Sequence, residues 1–247
     1  MNNRIYNQQV DLNHEDIRIF YDKRASMYQK GDKSRNTSVL LGDGDPEYAD
    51  KWNEFEKREI LPFLDVKETD RVLDIGCGVG RWAESLLPKC QMYVGIDFSS
   101  AMIHAAQDYF NHKKNALFVN ASFQEVFSEE AVICRKYDIV IITGVSMYIN
   151  DSDLRICYSR LKELLNDGAI IYMEESVGVK ERLTLQHIWS EGLQDNYDAV
   201  YRTKDEYMNL MDALLDCTEI LSEGYFHQLD KEKMPETSHW HIIMKKK

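Results

Sequence analysis

The sequence predicts an α/β protein with a doubly wound, mostly parallel sheet. Five short apolar runs alternate with helical segments between residues 70 and 176, and this alternation is typical of parallel sheets. The run Tyr137–Ile142 is almost continuously apolar, as expected for a central strand that is covered on both faces. Two more strands, near 218–227 and 240–244, are expected to form an antiparallel pair joined by a turn around Asp230–Pro235. The prediction is a seven-stranded sheet that binds ligands at the carboxyl ends of its parallel strands.

Two helices are expected before the first strand. Apolar residues spaced by three and four predict one helix from Asp16 to Tyr28, and Pro46 suits the first turn of another over 46–61. Pro62 is expected to follow this helix and to precede a short loop. The five parallel strands are expected at Val72–Ile75, Met92–Asp97, Leu117–Val119, Tyr137–Ile142 and Ala169–Met173. The later helices are expected at Arg81–Leu87, Ser100–Tyr109 and Glu181–Tyr201 and after Thr203. One more helix is expected from an N-cap at Asp151 or Ser152 to a glycine C-cap at Asn166–Gly168.

Composition narrows the class of protein. The net charge of −12, from 30 Lys+Arg against 42 Asp+Glu, disfavours a nucleic-acid partner. The five cysteines are scattered and lack C-x-x-C spacing, which indicates free thiols in a reducing cytoplasm and no metal site. No apolar run approaches the ~20 residues that cross a bilayer, and the polar first residues do not resemble a secretory signal. We therefore expect a cytoplasmic protein that acts on a small molecule, with its oligomeric state open.

A turn with three glycines follows the first strand of the predicted sheet. Gly76, Gly78 and Gly80 alternate with other residues, and a helix is expected to begin just after them. Glycine lets the backbone turn sharply and lets a ligand lie against the main chain. The dinucleotide fingerprint needs a small residue where Arg81 stands, and the carboxylate of Asp74 suits a ligand that carries an ammonium group. The turn is therefore expected to bind a nucleotide-like ligand other than a dinucleotide.

The run Val72–Gly80 resembles motif I of the class I S-adenosylmethionine (SAM) dependent methyltransferases, a hydrophobic strand ending in D-x-G-x-G-x-G. The resemblance covers about residues 68–247 and implies a Rossmann-like fold, SAM as cofactor and S-adenosylhomocysteine as product. It also implies an insertion over 177–202 that covers the substrate. We divide the chain into a helical N-terminal cap, 1–65, and a SAM-binding domain, 66–247.

An acidic residue ends the second predicted strand, about 20 residues past the glycines, where a carboxylate can accept both ribose hydroxyls. This residue is Asp97, although a helix N-cap is its alternative role. The resemblance implies further cofactor contacts, with Ser122 standing where the family usually has an aspartate. The predicted cofactor residues are Tyr21, Tyr28, Asp74, Gly76, Gly78, Gly80, Arg81, Asp97, Phe98, Ser122, Phe123, Thr143 and Gly144. The alternatives are that Tyr21 and Tyr28 pack in the core and that Arg81 lies on a helix surface.

The acceptor side is expected at the ends of the fourth and fifth strands and in the insertion. Glu174, Glu175 and His187 are candidate bases, with only one of the two glutamates able to face the site because strand residues alternate. Tyr148 completes the predicted catalytic residues, and the predicted substrate residues are Arg182, Tyr197, Tyr201 and Arg202. The arginines suit an anionic group, and surface ion pairs are their alternative.

The expected reaction is methyl transfer to an oxygen nucleophile of a small molecule. An amine or amino sugar is the alternative acceptor, and a non-catalytic SAM-binding module is a more distant alternative. The acidic charge disfavours an RNA methyltransferase, and Arg81 with Asp74 disfavours a nicotinamide-dependent oxidoreductase.

Overall fold

A computed structural model describes residues 3–29, 35–40, 45–191, 193–226 and 235–247. Its main sheet has seven strands in the order β4-β3-β2-β5-β6-β10-β9. These strands are β2 (Arg71–Ile75), β3 (Met92–Asp97), β4 (Ala116–Asn120), β5 (Tyr137–Thr143), β6 (Leu165–Gly178), β9 (Thr218–Tyr225) and β10 (Thr237–Lys246). The first five are parallel, and β10 pairs antiparallel with both β6 and β9. The predicted fold class is confirmed.

Helices cover both faces of this sheet. They are α1 (His14–Gln29), α2 (Pro46–Leu64), α3 (Ala83–Leu86), α4 (Ser100–Tyr109), α5 (Glu130–Ile133), α6 (Asp151–Leu161), α7 (Lys204–Leu210) and α8 (Asp212–Leu215). One core cluster centres on Leu73, Ile75 and Ile142, and another, on the opposite face, includes Val72 and Ile141. Alternate residues of β2 and β5 thus supply both clusters, as a doubly wound sheet requires. None of the helices in the described part of the chain has the length and apolarity to cross a membrane.

The expected helix over Glu181–Tyr201 is wrong. These residues form β7 (Leu183–Ser190) and β8 (Asp195–Tyr201), an antiparallel pair, and β1 (Arg4–Tyr6) joins them in a three-stranded sheet with the order β1-β7-β8. The pairing has an irregularity between Leu185 and Ile188, where His187 has a φ of 49°. This bulge resets the alternation of apolar residues, so that the sequence imitates helical spacing.

Several element boundaries also differ from the sequence predictions. Helix α2 continues through Pro62 to Leu64, because a proline near the carboxyl end disturbs few backbone bonds. The N-cap of α6 is Asn150, and Asn166–Gly168 belong to β6 rather than to a helix cap. The predicted turn around 230–235 lies outside the described residues except for Pro235, and so does residue 227 of the predicted sixth strand.

Candidate active site

The glycine turn after β2 holds an unusual backbone. Gly76 and Gly80 have φ values of 73° and 78°, in the left-handed region that favours glycine. A Cβ on Gly76 would overlap Cγ2 of Val145, and a Cβ on Gly80 would lie 2.6 Å from Cε2 of Phe110. The turn therefore packs directly on the residues behind it and leaves its main chain as one wall of a cavity.

This cavity, of about 470 Å³, lies at the carboxyl ends of β2, β3 and β4. Asp97 accepts one hydrogen bond from the N–H of Gly78 and one from the N–H of Ser99, both at 2.9 Å. Each carboxylate oxygen keeps a second lone pair for a hydroxyl donor. Burial raises the pKa of Asp97 to about 6. The N-cap of α4 is Ser99, whose hydroxyl accepts from the N–H of Met102, so the alternative role of Asp97 as that cap is wrong.

The far end of the same cavity combines aromatic and polar groups. Phe98, Ser122 and Phe123 line it, as expected for a purine pocket. The Ser122 hydroxyl donates to Oε2 of Glu125 at 2.9 Å, and Glu125 also lines the cavity. A carboxylate is therefore present at this end, three residues after the position where the family usually has an aspartate. In the sequence, this carboxylate can be recognised by the S-x-x-E spacing that Glu125 forms with Ser122.

A second cavity, of about 490 Å³, lies beside the first. The two cavities share Val39 and five of the predicted residues, which are Tyr21, Gly76, Thr143, Gly144 and Tyr148. The three-stranded sheet contributes the outer wall of this second cavity through Leu183, Leu185 and Ile188. A ligand in the first cavity and a ligand in the second thus meet beside the glycine turn and the end of β5.

Three tyrosines form a chain of hydroxyl groups near this meeting point. The hydroxyl of Tyr21 donates to that of Tyr148 at 2.8 Å, and the hydroxyls of Tyr148 and Tyr197 are also 2.8 Å apart. Burial raises the pKa of all three phenols well above the ordinary value. They are therefore neutral hydrogen-bonding groups at physiological pH, and Tyr201 lines the cavity beside them.

The two adjacent glutamates of β6 face opposite ways. Glu174 lines the second cavity and lies 2.7 Å from Nδ1 of His239, whose ring is 4.1 Å from that of Trp52. Glu175 is fully buried on the other face and accepts backbone N–H groups from Val145, Ser146 and Met147, a tight cluster of donors. Glu174 is thus the glutamate that faces the acceptor side. Sequence reasoning missed His239, since an alternating strand residue carries no signal of its own.

A buried polar network lies behind the glycine turn. The guanidinium of Arg81 pairs with Glu56 at 2.5 Å, and the other oxygen of Glu56 accepts the hydroxyl of Tyr172 at 2.8 Å. Asp74 accepts the hydroxyl of Tyr93, and burial raises the pKa of Asp74 to about 7. Arg81 and Asp74 both line the second cavity, so a cation and a carboxyl group flank the glycines.

Six predicted site residues line neither cavity, and four of them have other contacts that explain this. His187 is exposed on β7 and pairs with Asp198. Arg182 and Arg202 are buried, and both bind Asp151. The fourth residue is Tyr28, which packs against a small apolar cluster with Val79 and Met102. The structure brings the other predicted residues to the cavities, except that Gly80 and Glu175 lie behind their walls.

The two cavities match the chemistry of SAM. The first offers Asp97 for ribose hydroxyls and an aromatic end for a purine, and the glycine main chain joins the two parts. Beside the glycines, Asp74 suits an ammonium group and Arg81 suits a carboxylate, which are the charges of an amino-acid tail. The residues present therefore fit the cofactor that the sequence implies.

The ionisation of Asp97 should control SAM affinity. Hydroxyl donors prefer the charged carboxylate, so binding lowers its pKa, and affinity should fall as the pH falls through about 6. Protonation of Asp97 alone should weaken SAM binding roughly tenfold between pH 8 and pH 5. Calorimetric titration of SAM across this range measures the effect.

The variant Asp97→Asn serves as the control for this titration. It should bind SAM more than about tenfold more weakly at pH 8, because the amide has only one acceptor oxygen. Its curve should lack the step near pH 6 and keep a step near 7 from Asp74. Parallel curves for the variant and the wild type would contradict this role of Asp97.

Comparison with known proteins supports the same reading. Residues 73–171 match the family model described as a methyltransferase domain. The phosphoethanolamine N-methyltransferase of Triticum aestivum is 30% identical over 122 residues, which are 49% of this chain and 24% of that protein. The chain thus spans about a quarter of the length of this curated relative.

Two solved structures share the fold. The phosphoethanolamine N-methyltransferase 1 of Haemonchus contortus, in complex with phosphoethanolamine and S-adenosylhomocysteine, has a TM-score of 0.67 and 18% identity, covering 95% of this chain and 50% of that one. The (4+2)-cyclase SpnF has a TM-score of 0.64 and 13% identity, covering 96% and 97% of the two chains. With its glycine turn and its seven-stranded sheet, this chain contains a methyltransferase domain over residues 73–171, and its cavities fit SAM as the cofactor.

Proposed function

We propose that this protein transfers the methyl group of SAM to the nitrogen of a small amine. The observation that carries the proposal is the contact between the two cavities at Gly76, Gly144, Tyr21 and Tyr148. The cofactor supplies a methyl group bonded to a positively charged sulfur. The protein must then align an acceptor with that bond, and alignment of this kind contributes about 7–11 kcal/mol in favourable cases.

The second cavity, which we call the chamber, suits a nitrogen acceptor better than an oxygen acceptor. An aliphatic alcohol is a poor nucleophile until a base removes its proton, whereas a neutral amine already carries the attacking lone pair. The raised pKa values of Tyr21 and Tyr148 keep these phenols protonated, so they orient the acceptor and do not act as strong bases. We therefore propose an amine, the alternative acceptor, in place of the expected oxygen nucleophile.

Glu174 and His239 attract an amine acceptor and remove its proton. The Glu174 carboxylate attracts the ammonium form of the acceptor into the chamber. His239, which Glu174 holds at 2.7 Å, then accepts the proton that the nitrogen must lose. The aromatic rings of Tyr21, Tyr148 and Trp52 stabilise the positive charge of the methylated product.

The comparisons favour the same acceptor atom. Both the wheat relative and the Haemonchus structure are named as N-methyltransferases. The shared fold does not decide the reaction by itself, because SpnF has this fold and is named as a cyclase. The acceptor atom therefore needs a direct test.

Matched pairs of acceptors provide that test. Benzylamine and benzyl alcohol, or n-hexylamine and 1-hexanol, differ in the acceptor atom and little in shape. With SAM present, we expect S-adenosylhomocysteine formation and a product heavier by one methyl group for the amines. The alcohols should react roughly 100-fold more slowly or not at all, since a hydroxyl group gives up its proton to His239 far less readily than an ammonium group does. Faster methylation of the alcohols would refute nitrogen transfer.

A further inference from the structure

We propose that the acceptor is an amine with an apolar body and without a phosphate or other anionic group. This inference rests on the proposed function and names the substrate class of the same chamber. It follows from two independent features, the apolar outer wall and the pairing of the arginines that line the cavity.

The outer wall of the chamber is apolar. Leu183, Leu185 and Leu193 are buried, and Ile188 packs against the same cluster as these leucines. Trp189 stands at the rim with 53% of its surface exposed. All five residues line the cavity and belong to the segment that holds β7 and its turn to β8. A wall of this composition stabilises an apolar ligand body by removing it from water.

Both arginines among the described lining residues have carboxylate partners. Arg4 pairs with Glu236, which lines the same cavity, and Arg81 pairs with the buried Glu56. The remaining acidic lining residues are Asp45, Asp74 and Glu174. Recognition of a phosphate usually uses arginine forks or lysines directed at its oxygens. A phosphate here would have to compete with Glu236 for Arg4, and with both Glu56 and the carboxylate of SAM for Arg81.

The two arginines that the sequence predicts as binding residues for an anionic group form ion pairs outside the chamber. Arg182 donates to both oxygens of Asp151 at 2.9 Å, and Arg202 donates to Asp151 and to the carbonyls of Ser146 and Ile149. Neither arginine lines the chamber. Their alternative role as ion-pair partners is therefore the one seen, although they are buried and not on the surface.

The amine end and the apolar end of the chamber are distinct. Glu174, His239 and Trp52 lie on the side of the main sheet and α2, whereas Leu185 and Ile188 belong to the small sheet. The carboxylate thus attracts the nitrogen to one wall, and the body of the acceptor extends toward the other. This polarity favours a primary or secondary amine on an alkyl or aromatic body.

A series of amines tests this substrate class. We would compare n-butylamine, n-pentylamine, n-hexylamine, ethanolamine and phosphoethanolamine with the whole chain and saturating SAM. We expect kcat/KM to rise about fourfold for each added methylene, the factor equivalent to ~0.8 kcal/mol per buried CH₂. Ethanolamine should be more than about tenfold slower than n-butylamine, and phosphoethanolamine should give no product above background.

Two lysine variants locate the apolar contact. Ile188→Lys should reduce kcat/KM for n-hexylamine by roughly tenfold or more while SAM affinity stays within threefold, because Ile188 belongs to the small sheet, away from the glycine turn and the residues proposed to hold SAM. A lysine at this half-buried position can extend toward solvent, so that the variant folds. Ile220→Lys, on the exposed face of β9, is the matched control and should leave the amine series unchanged.

The outcomes separate the two proposals. Faster methylation of phosphoethanolamine than of n-hexylamine, or a flat series from butyl to hexyl, would overturn the apolar-amine class and leave nitrogen transfer intact. A lack of transfer to every amine, with SAM bound normally, would overturn the proposed function and this inference together.

Discussion

Replacement of Gly76 by alanine should severely weaken SAM binding. The φ of 73° at this residue costs an alanine about 1–2 kcal/mol, and the added Cβ would overlap Cγ2 of Val145. Val145 lines the first cavity, which we propose binds SAM, so displacement of Val145 narrows this cavity as well. We expect the affinity for SAM to fall by roughly 100-fold or more. Isothermal titration with SAM and S-adenosylhomocysteine measures this loss.

Gly168→Ala is the matched control for this experiment. Gly168 has a φ of 78°, close to that of Gly76, and a Cβ there would meet only Cε of Lys245 at 3.9 Å. The two variants thus share the left-handed backbone, and they differ in the overlap with Val145 and in their distance from the first cavity. Gly168→Ala should lower the thermal midpoint modestly and keep SAM affinity unchanged. Binding by Gly76→Ala within threefold of the wild type would contradict the role of this turn.

Replacement of Arg202 by methionine should strongly destabilise the fold. Arg202 is fully buried and donates to the carbonyls of Ser146 and Ile149 at 2.7 and 2.6 Å, and to Asp151 at 2.7 Å. Without it, these buried acceptors lose charged donors. We expect the free energy of unfolding to fall by about 3–5 kcal/mol, the range for breaking a buried ion pair. Urea denaturation followed by circular dichroism measures the change.

An exposed ion pair provides the comparison. Arg155 pairs with Asp212 at 3.2 Å, and both side chains are about half exposed or more. Arg155→Met should change the free energy of unfolding by less than about 1 kcal/mol, because water and salt screen such pairs. If the two variants lose similar stability, Arg202 does not hold the Ser146–Asp151 loop in the way its contacts indicate.

The cofactor half of the protein follows local signals in the chain. Met92–Asp97 and Ser100–Tyr109 form the predicted strand and helix with the predicted bounds. The apolar run of β2 and the glycines after it are contiguous, and their backbone demands are met by residue type alone. A local pattern of this kind predicts the structure correctly because it depends on few distant contacts.

The acceptor half depends on contacts between distant segments. The chamber combines Tyr21 from α1, Leu185 from β7, Glu174 from β6 and His239 from β10. The pairing of β1 with β7 joins residues near the start of the chain to residues about 180 positions later. No local pattern predicts such pairing. The bulge at His187 further interrupts the alternation of β7, so that the spacing predicts a helix where two strands form.

The sequence by itself determined the sheet, the glycine turn, the ribose acid candidate Asp97 and the cofactor class, because these features depend on residue type and short spacing. The tertiary structure alone decided which of Glu174 and Glu175 faces the chamber, that His239 is the partner of Glu174, and that Arg182 and Arg202 are paired with Asp151. These facts depend on which distant side chains become neighbours when the two sheets pack. The acceptor that we propose, an amine with an apolar body, rests on those neighbours.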